Sequence, residues 1–358
     1  VSIIALEKFT GFGYKGRTSD EFGVYSVSNG VGYDRNLFAT FSDKEESVVG
    51  QDGEYYFGTD LKSRPLPLTL YLYDLTREDY IDLQRWLNPR GGMGDFYFYE
   101  EPYKYYTSVK PVSFGTYGQF ARDVLYSGEV AVEFKAYDPH GYAFANTVED
   151  GDALGLPDGW ETGTGILPQH YTIPTSFASL TDTSTIIKLY NGGNAYAKPI
   201  ITINGSVNNL DITNLSNGDS FQINAMSSQE FVVDCKIGRI TENNNLVVGR
   251  FSGNFIKLEP TEKPIAYTMT FSTASGIVTS VEDLPTNIVG REIVVYDGVD
   301  TLHYKIASRT NANEIILEDA YGGLSGEFVA YAIDVNEVVI SGTDVNISVS
   351  FDYKYTYL

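Results

Sequence analysis

One cysteine, Cys235, is all that 358 residues contain, so no internal disulfide framework is available and the redox compartment stays open. Only three histidines occur, His140, His170 and His303. They lie far apart and in no spacing that suits a metal ion. Basic residues are scarce: 25 Lys and Arg stand against 47 Asp and Glu, a net charge of −22. A free nucleic-acid binder needs cations to neutralise phosphates, so that class is disfavoured. No run of about 18 apolar residues is present, so no transmembrane helix and no membrane insertion are expected. The opening Val1-Ser2-Ile3-Ile4-Ala5-Leu6 is apolar but short. It has no basic leader and no small-residue cleavage site, so it does not read as a signal peptide. No Gly-x-Ser-x-Gly elbow occurs, and no nucleophile has a visible base. No catalytic residue, cofactor or metal ligand is therefore expected.

What is abundant points to β structure. Tyr numbers 28, Phe 20 and Gly 35. Aromatic and β-branched residues suit a pleated, half-buried surface, and glycine suits tight turns. Pro65-Leu66-Pro67-Leu68-Thr69-Leu70-Tyr71-Leu72 alternates as a half-buried strand does. Gln51-Asp52-Gly53-Glu54 carries a hairpin signal between polar and aromatic runs. One helix is predicted. Thr76 caps it, Glu78 and Asp79 sit in its first turn where the dipole favours acids, and Tyr80, Leu83, Trp86 and Leu87 form its apolar face. Asn88-Pro89 ends it. Residues 143–180 are rich in Gly, Asp, Thr and Pro without periodicity and read as a linker or arm. Beyond them, short strands separated by Asn191-Gly192-Gly193-Asn194, Asn204-Gly205 and Asn217-Gly218-Asp219 predict a sandwich or jelly roll. The expected fold is mainly β. An N-terminal β domain with one short helix (1–142) precedes a galectin-like or jelly-roll β-sandwich (181–261 plus 336–358), which carries a small inserted β module (262–335).

Three local patterns invite chemistry. Gly11-Phe12-Gly13-Tyr14-Lys15-Gly16 fits the dinucleotide-binding glycine spacing, with Asp34 about 20 residues on. That motif requires a following helix, and Arg17-Thr18-Ser19-Asp20-Glu21-Phe22-Gly23 has no helical face, so a glycine-rich turn is the better reading. Asp150-Gly151-Asp152, with Gly155 and Glu161, approaches a calcium loop. Leu154 stands where an oxygen ligand is needed and Pro157 intrudes, so a flexible acidic loop is expected. The densest aromatic stretch holds Phe96, Tyr97, Phe98, Tyr99, Tyr103, Tyr105 and Tyr106. Three roles fit it: a subunit interface, packing inside its own domain, or stacking on sugars. Trp160 is a further candidate sugar contact. Carboxylate pairs are so frequent that they carry no weight for a glycoside hydrolase, which needs two at catalytic distance.

The order of several segments resembles a known family. Phe9-Thr10-Gly11-Phe12 is followed by Thr18-Ser19-Asp20-Glu21-Phe22-Gly23-Val24-Tyr25, then Val49-Gly50-Gln51-Asp52-Gly53-Glu54-Tyr55-Tyr56-Phe57-Gly58, then a helix ending Leu83-Gln84-Arg85-Trp86-Leu87. Later, Tyr190-Asn191-Gly192-Gly193-Asn194-Ala195-Tyr196-Ala197-Lys198-Pro199-Ile200-Ile201-Thr202-Ile203 and Phe231-Val232-Val233-Asp234-Cys235 resemble the same family's second domain. This order is similar to the distal tail proteins of long-tailed siphophages that infect Gram-positive bacteria. Residues 262–335 depart from its short members. The resemblance implies a virion protein of the tail tip that forms a hexameric ring, often with a projecting hairpin that grips the neighbour. It implies contacts with the tail tube protein, the tape measure protein, the tail-associated adhesin or lysin and receptor-binding proteins, and no enzymatic activity. DNA would pass through the lumen without specific binding, and an acidic lumen would repel it. A carbohydrate-binding protein that contacts host cell-wall sugars is the alternative function.

Overall fold

A computed structural model describes residues 9–27, 39–47, 54–99, 101, 104–115, 126–143, 184–224, 226–247, 249–261, 265–297 and 301–358. The chain divides into two compact units, residues 1–144 with 357–358, and residues 145–356. It is mainly β, with several antiparallel sheets, one of them a half-barrel, and a single α-helix among the described residues.

The first unit contains β1 (Phe9–Thr10), β2 (Phe12–Tyr14), β3 (Arg17–Thr18), β4 (Val24–Val27), β5 (Phe41–Ser47), β6 (Glu54–Leu61), β7 (Arg64–Leu75), α1 (Arg77–Trp86), β8 (Gly94–Phe98), β9 (Lys104–Phe114), β10 (Tyr126–Ala136) and β11 (Gly141–Ala143). The main sheet runs β1-β4-β7-β10-β9-β8-β2-β3, with β11 beside β9, while among the described residues β5 and β6 pair only with each other. Period-two alternation sends Leu66, Leu68, Leu70 and Leu72 of β7, Val132 and Phe134 of β10, and Phe96 and Phe98 of β8 into one core.

The helix adds its apolar face to that core. The Thr76 hydroxyl accepts the Asp79 backbone N–H at 3.2 Å, and the Asp79 carboxylate accepts the Thr76 N–H at 3.0 Å, closing a capping box. These bonds from Thr76 hold the Asp79 carboxyl below its ordinary value. Leu83 and Trp86 are the buried residues of the helix. The Trp86 ring stacks on Phe22 (centroids 4.5 Å apart) and on Phe12 (5.4 Å), and its Nε1–H donates to the Tyr14 carbonyl at 2.8 Å. One side chain thus ties the helix, β2 and the turn before β4 together.

The second unit contains β12 (Ser184–Leu189), β13 (Ile200–Asn214), β14 (Ser220–Ile223), β15 (Met226–Asp234), β16 (Arg239–Glu242), β17 (Asn245–Leu246), β18 (Phe251–Gly253), β19 (Ile265–Phe271), β20 (Ile277–Ser280), β21 (Glu292–Tyr296), β22 (Thr301–Asn311), β23 (Glu314–Leu317), β24 (Gly326–Ile333) and β25 (Asn336–Asp352). Its eight-stranded sheet is built on the long pair β13–β25. The register of that pair shifts at two places, between Ser206 and Asn208 and between Asn208 and Asp211. Such irregularities bend a strand and increase its twist. Before the bend β13 pairs with β15, and after it with β14. Ile201 and Ile203 from one half and Leu210 and Ile212 from the other enter the same core with Phe221, Phe231, Val349 and Phe351. One sheet folded on itself supplies both layers.

Strands β19 to β24 close into a separate six-stranded barrel in the order β19-β20-β23-β22-β21-β24. Closure leaves no unpaired edge. Met269, Phe271, Ile293, Val295, Ile306, Ile315 and Tyr321 fill its interior. The chain leaves the sandwich near Glu259 and returns at Asn336, which is 1% exposed. The Asn336 Oδ1 accepts the Glu259 N–H at 2.7 Å, and its Nδ2 donates to the Glu259 carbonyl at 3.0 Å. This side-chain amide acts as a one-residue strand bridge across the neck. Asn191, fully buried, donates to the carbonyls of Ala195 (2.8 Å) and Leu258 (3.1 Å), and its own carbonyl accepts Thr261. The Asn-Gly segment expected as a turn is thus a buried hydrogen-bonding node.

Replacing Trp86 by Ala is expected to cost about 3–5 kcal/mol, the range for deleting a buried indole. Trp86→Phe keeps most of the packing but loses the bond to the Tyr14 carbonyl, and should cost about 1 kcal/mol beyond its packing loss. Urea unfolding, read by protection of the β2 amides from exchange, checks both values.

Candidate assembly surface

Phe41, Tyr55, Tyr56 and Phe57 are 60%, 53%, 63% and 65% exposed. All four belong to the β5–β6 hairpin, which takes no part in the main sheet. A free two-stranded hairpin is at best marginally stable in water, and clustered exposed aromatics mark a surface that something covers. Phe41 faces Leu61, Glu46 faces Tyr55 and Glu45 faces Tyr56 across the ladder. A bulge between Asp43 and Glu45 sets Phe57 and Gly58 against Lys44, and Gly58 has φ 120°, a conformation that side chains strain to adopt. The hairpin tip lies outside the described residues.

Polar bonds hold the hairpin instead of a core. Thr59 donates to Asp43, Tyr56 and Thr59 share a hydroxyl–hydroxyl bond, and Lys44 meets Asp60 at 2.8 Å. The Lys44 contact keeps the Asp60 carboxyl below its ordinary value. Glu45 is pushed up by its hydrogen bond to Glu54 and by the charge beside it. A raised folded-state carboxyl favours the hairpin below its ordinary range and disfavours it as pH rises through the raised value. Glu45 and Glu46 lie opposite Tyr56 and Tyr55, so the hairpin carries acidic side chains beside its aromatics. Two cations stand together on the outer face of the main sheet: Lys110 and Lys135 are opposite each other in register, each ammonium 5.4 Å from the Tyr137 ring centroid, with Glu133 on the same face of β10.

The aromatic stretch from 96 to 106 divides by alternation. Phe96, Phe98 and Tyr106 are core residues, at 0%, 2% and 2% exposure. Tyr97, Tyr99 and Tyr105 are half-buried on the other side. Tyr97 and Tyr99 stack on each other, centroids 6.1 Å apart, and Tyr99 donates to the Asp20 carboxylate at 2.9 Å. Burial, reinforced by that carboxylate, pushes the Tyr99 phenol up to about 12. Tyr105 lies 6.3 Å from Tyr142, whose hydroxyl donates to Asp138 at 2.8 Å. Tyr103 and Trp160 lie outside the described residues.

The glycine spacing at 11–16 has a packing cause. A β-carbon on Gly13 would enter the Tyr97 ring, and one on Gly11 the Tyr99 ring. The two glycines leave a flat strip of β2 on which both tyrosines rest. After β3 the chain makes a short 3-10 turn, Ser19–Phe22, not the helix a dinucleotide site requires. The Asp150–Glu161 loop and His170 lie outside the described residues. His140 is bonded to Asp138 at 3.2 Å in its turn. Cys235 sits just past the end of β15 at 5% exposure, and burial pushes its thiol up to about 12. Among the described residues no three His, Cys, Asp or Glu side chains converge as a metal site would need.

Gly13→Ala should destabilise the first unit by about 1–3 kcal/mol, the cost of overpacking. The double variant Gly13→Ala/Tyr97→Ser should recover most of that loss, so the two changes will be strongly non-additive in urea unfolding. Additive costs would show that the ring does not need the glycine.

Residues 21–136 match the family of the phage tail protein RIFT-related domain. The solved structure of SPP1 Dit (gp 19.1), described as a paradigm of hub adsorption apparatus in Gram-positive infecting phages, aligns with a TM-score of 0.45 and 12% sequence identity, over 98% of this chain and 100% of that one. No curated protein matches the chain.

Proposed function

We propose that this chain, whose residues 21–136 match a phage tail protein domain, is the distal hub of a siphophage tail. It assembles with copies of itself into a hexameric ring between the tail tube and the tail-associated adhesin. It is structural, and its chemistry is that of recognition, not catalysis. The observation that carries this reading is the β5–β6 hairpin, an aromatic and acidic element that, among the described residues, pairs with no other strand and keeps four aromatic side chains exposed.

A ring closes when one surface of each copy meets a different surface of the next. The hairpin supplies one such surface. The Lys110–Lys135–Tyr137 face has the opposite charge and an exposed ring, and is the surface we assign to receive it. Charge complementarity of this kind fixes register and speeds encounter. The half-buried Tyr97, Tyr99 and Tyr105 widen the same candidate interface. In this reading residues 1–142 form the ring and 143–180 an arm, while the sandwich of 181–261 and 336–358 projects outward with 262–335 as an added module. The ring also contacts the tape measure protein and anchors receptor-binding components, and the chain's net charge of −22 keeps passing DNA from adhering.

Light scattering of the purified chain should give six times the monomer mass, and negative-stain images should show six-fold rings with a central hole. The variant Tyr55→Ser/Tyr56→Ser/Phe57→Ser should leave a folded monomer, because it removes only exposed side chains. Lys110→Glu/Lys135→Glu should do the same. Rings that persist in both variants would place the interface elsewhere. A wild-type chain that stays monomeric at all concentrations, alone and with its tail partners, would rule out the hub.

A further inference from the structure

The inserted barrel and the sandwich that carries it meet through two ion pairs. Lys188 of β12 lies 3.0 Å from Glu292 of β21, and Lys305 of β22 lies 2.6 Å from Glu337 of β25. The four side chains are related in a second way. Lys188 and Glu337 are register partners across β12–β25 of the sandwich. Glu292 and Lys305 are register partners across β21–β22 of the barrel. Each body therefore presents one acid and one base side by side, and each ion pair runs from one body to the other. The result is a closed ring of alternating charge, Lys188, Glu292, Lys305, Glu337 and back to Lys188.

We infer that this four-membered charge ring locks the barrel onto the sandwich in one orientation, so that the insertion is a rigid extension of the sandwich and not a tethered module. Three observations support the lock over a fortuitous surface contact. Glu292 is 2% exposed, so it is a buried carboxylate that needs its cation. The Lys305 ammonium is held above its ordinary value, first by its hydrogen bond to Glu337, with Glu318 and Glu292 adding to it. The neck is also pinched, since Asn336 joins the leaving and returning strands next to Glu337. A pinched neck alone would leave the barrel free to tilt about it. The charge ring, set to one side of that neck, removes the tilt. Alternation also gives specificity, because shifting either strand pair by one ladder position would lose both ion pairs. This inference stands apart from the ring-assembly reading, since it concerns one chain only.

The test uses the full chain with Cys235→Ser and spin labels at two exposed positions, Ile237→Cys in the sandwich and Ile277→Cys in the barrel. Electron–electron resonance should give one narrow distance for the otherwise native chain. Swapping one pair, Lys188→Glu/Glu292→Lys, keeps that pair opposite in sign. It also sets Glu beside Glu337 and Lys beside Lys305. A ring predicts loss of the single narrow peak here and its return in the fourfold swap that adds Lys305→Glu/Glu337→Lys. Two independent bridges predict no change on the first swap. Since position 292 is buried and its swap could unfold the barrel, Lys305→Met/Glu337→Gln, at the more exposed pair, is the second variant and should also broaden the peak. A broad distribution in the native background, or a narrow one that survives both the single-pair swap and Lys305→Met/Glu337→Gln, would overturn the lock.

Discussion

The second unit depends on one pairing, that of β13 with β25. Their ladder runs almost the full length of both strands and bends where its register shifts around Asn208. The bend allows a single sheet to cover itself, and every other strand of the sandwich takes its place from one side or the other of it. Removing the bend would leave Ile201 and Ile203 facing away from Leu210 and Ile212, with no second layer to bury any of them. The barrel is joined to the sandwich beside the same pairing, because β25 begins at the point where the inserted chain returns. The buried amides of Asn191, Asn214 and Asn336 secure that point, and Asn214 reaches Asn336 at 3.2 Å. Buried polar groups of this kind are costly unless their bonds are made, and here they donate to the backbone carbonyls of Ala195, Leu258, Lys257 and Glu259.

The first unit is organised by a different constraint, the sorting of aromatic residues between inside and outside. Phe12, Phe22, Phe96, Phe98, Phe134 and Trp86 form a stacked interior. Tyr14 and Tyr106 join that interior, while Tyr97 and Tyr99 turn outward and settle on Gly13 and Gly11, with the Tyr99 hydroxyl donating to Asp20. The hairpin's aromatics Phe41, Tyr55, Tyr56 and Phe57 stay largely exposed, with acids beside them in the ladder.

Much of this was legible in the sequence because it is local. Thr76, Asp79 and the spacing of Leu83 and Trp86 define a helix without help from the rest of the chain. The alternation of Leu66, Leu68, Leu70 and Leu72 defines a strand with one buried face. The same alternation sorts Phe96 and Phe98 from Tyr97 and Tyr99, although composition alone makes them one aromatic block. Other features were not legible because their cause lies far along the chain. The glycines at 11 and 13 imitate a nucleotide motif until Tyr97 and Tyr99, distant in sequence, are seen to lie on them. Asn191 reads as a turn residue until Leu258 and Thr261 arrive beside it. The charge quartet is four ordinary residues in sequence, and becomes a unit only when the β12–β25 pair faces the β21–β22 hairpin.

The closed barrel has a consequence for how the chain is made. Asn214, at the end of β13, precedes Asn336, at the start of β25, by 122 residues. At a ribosomal rate of about 5–20 residues per second, β13 waits on the order of 10 s for its principal partner. During that interval one edge of β13 lacks its partner. All six barrel strands precede β25 in the chain, and the first and last of them pair, Ile265 with Ala332, so the folded barrel holds its two ends close together. A span of roughly 70 residues then behaves as a short connector, and the closure entropy of the sandwich falls accordingly. In a folded barrel the strand that follows, β25, starts close to where the sandwich was left.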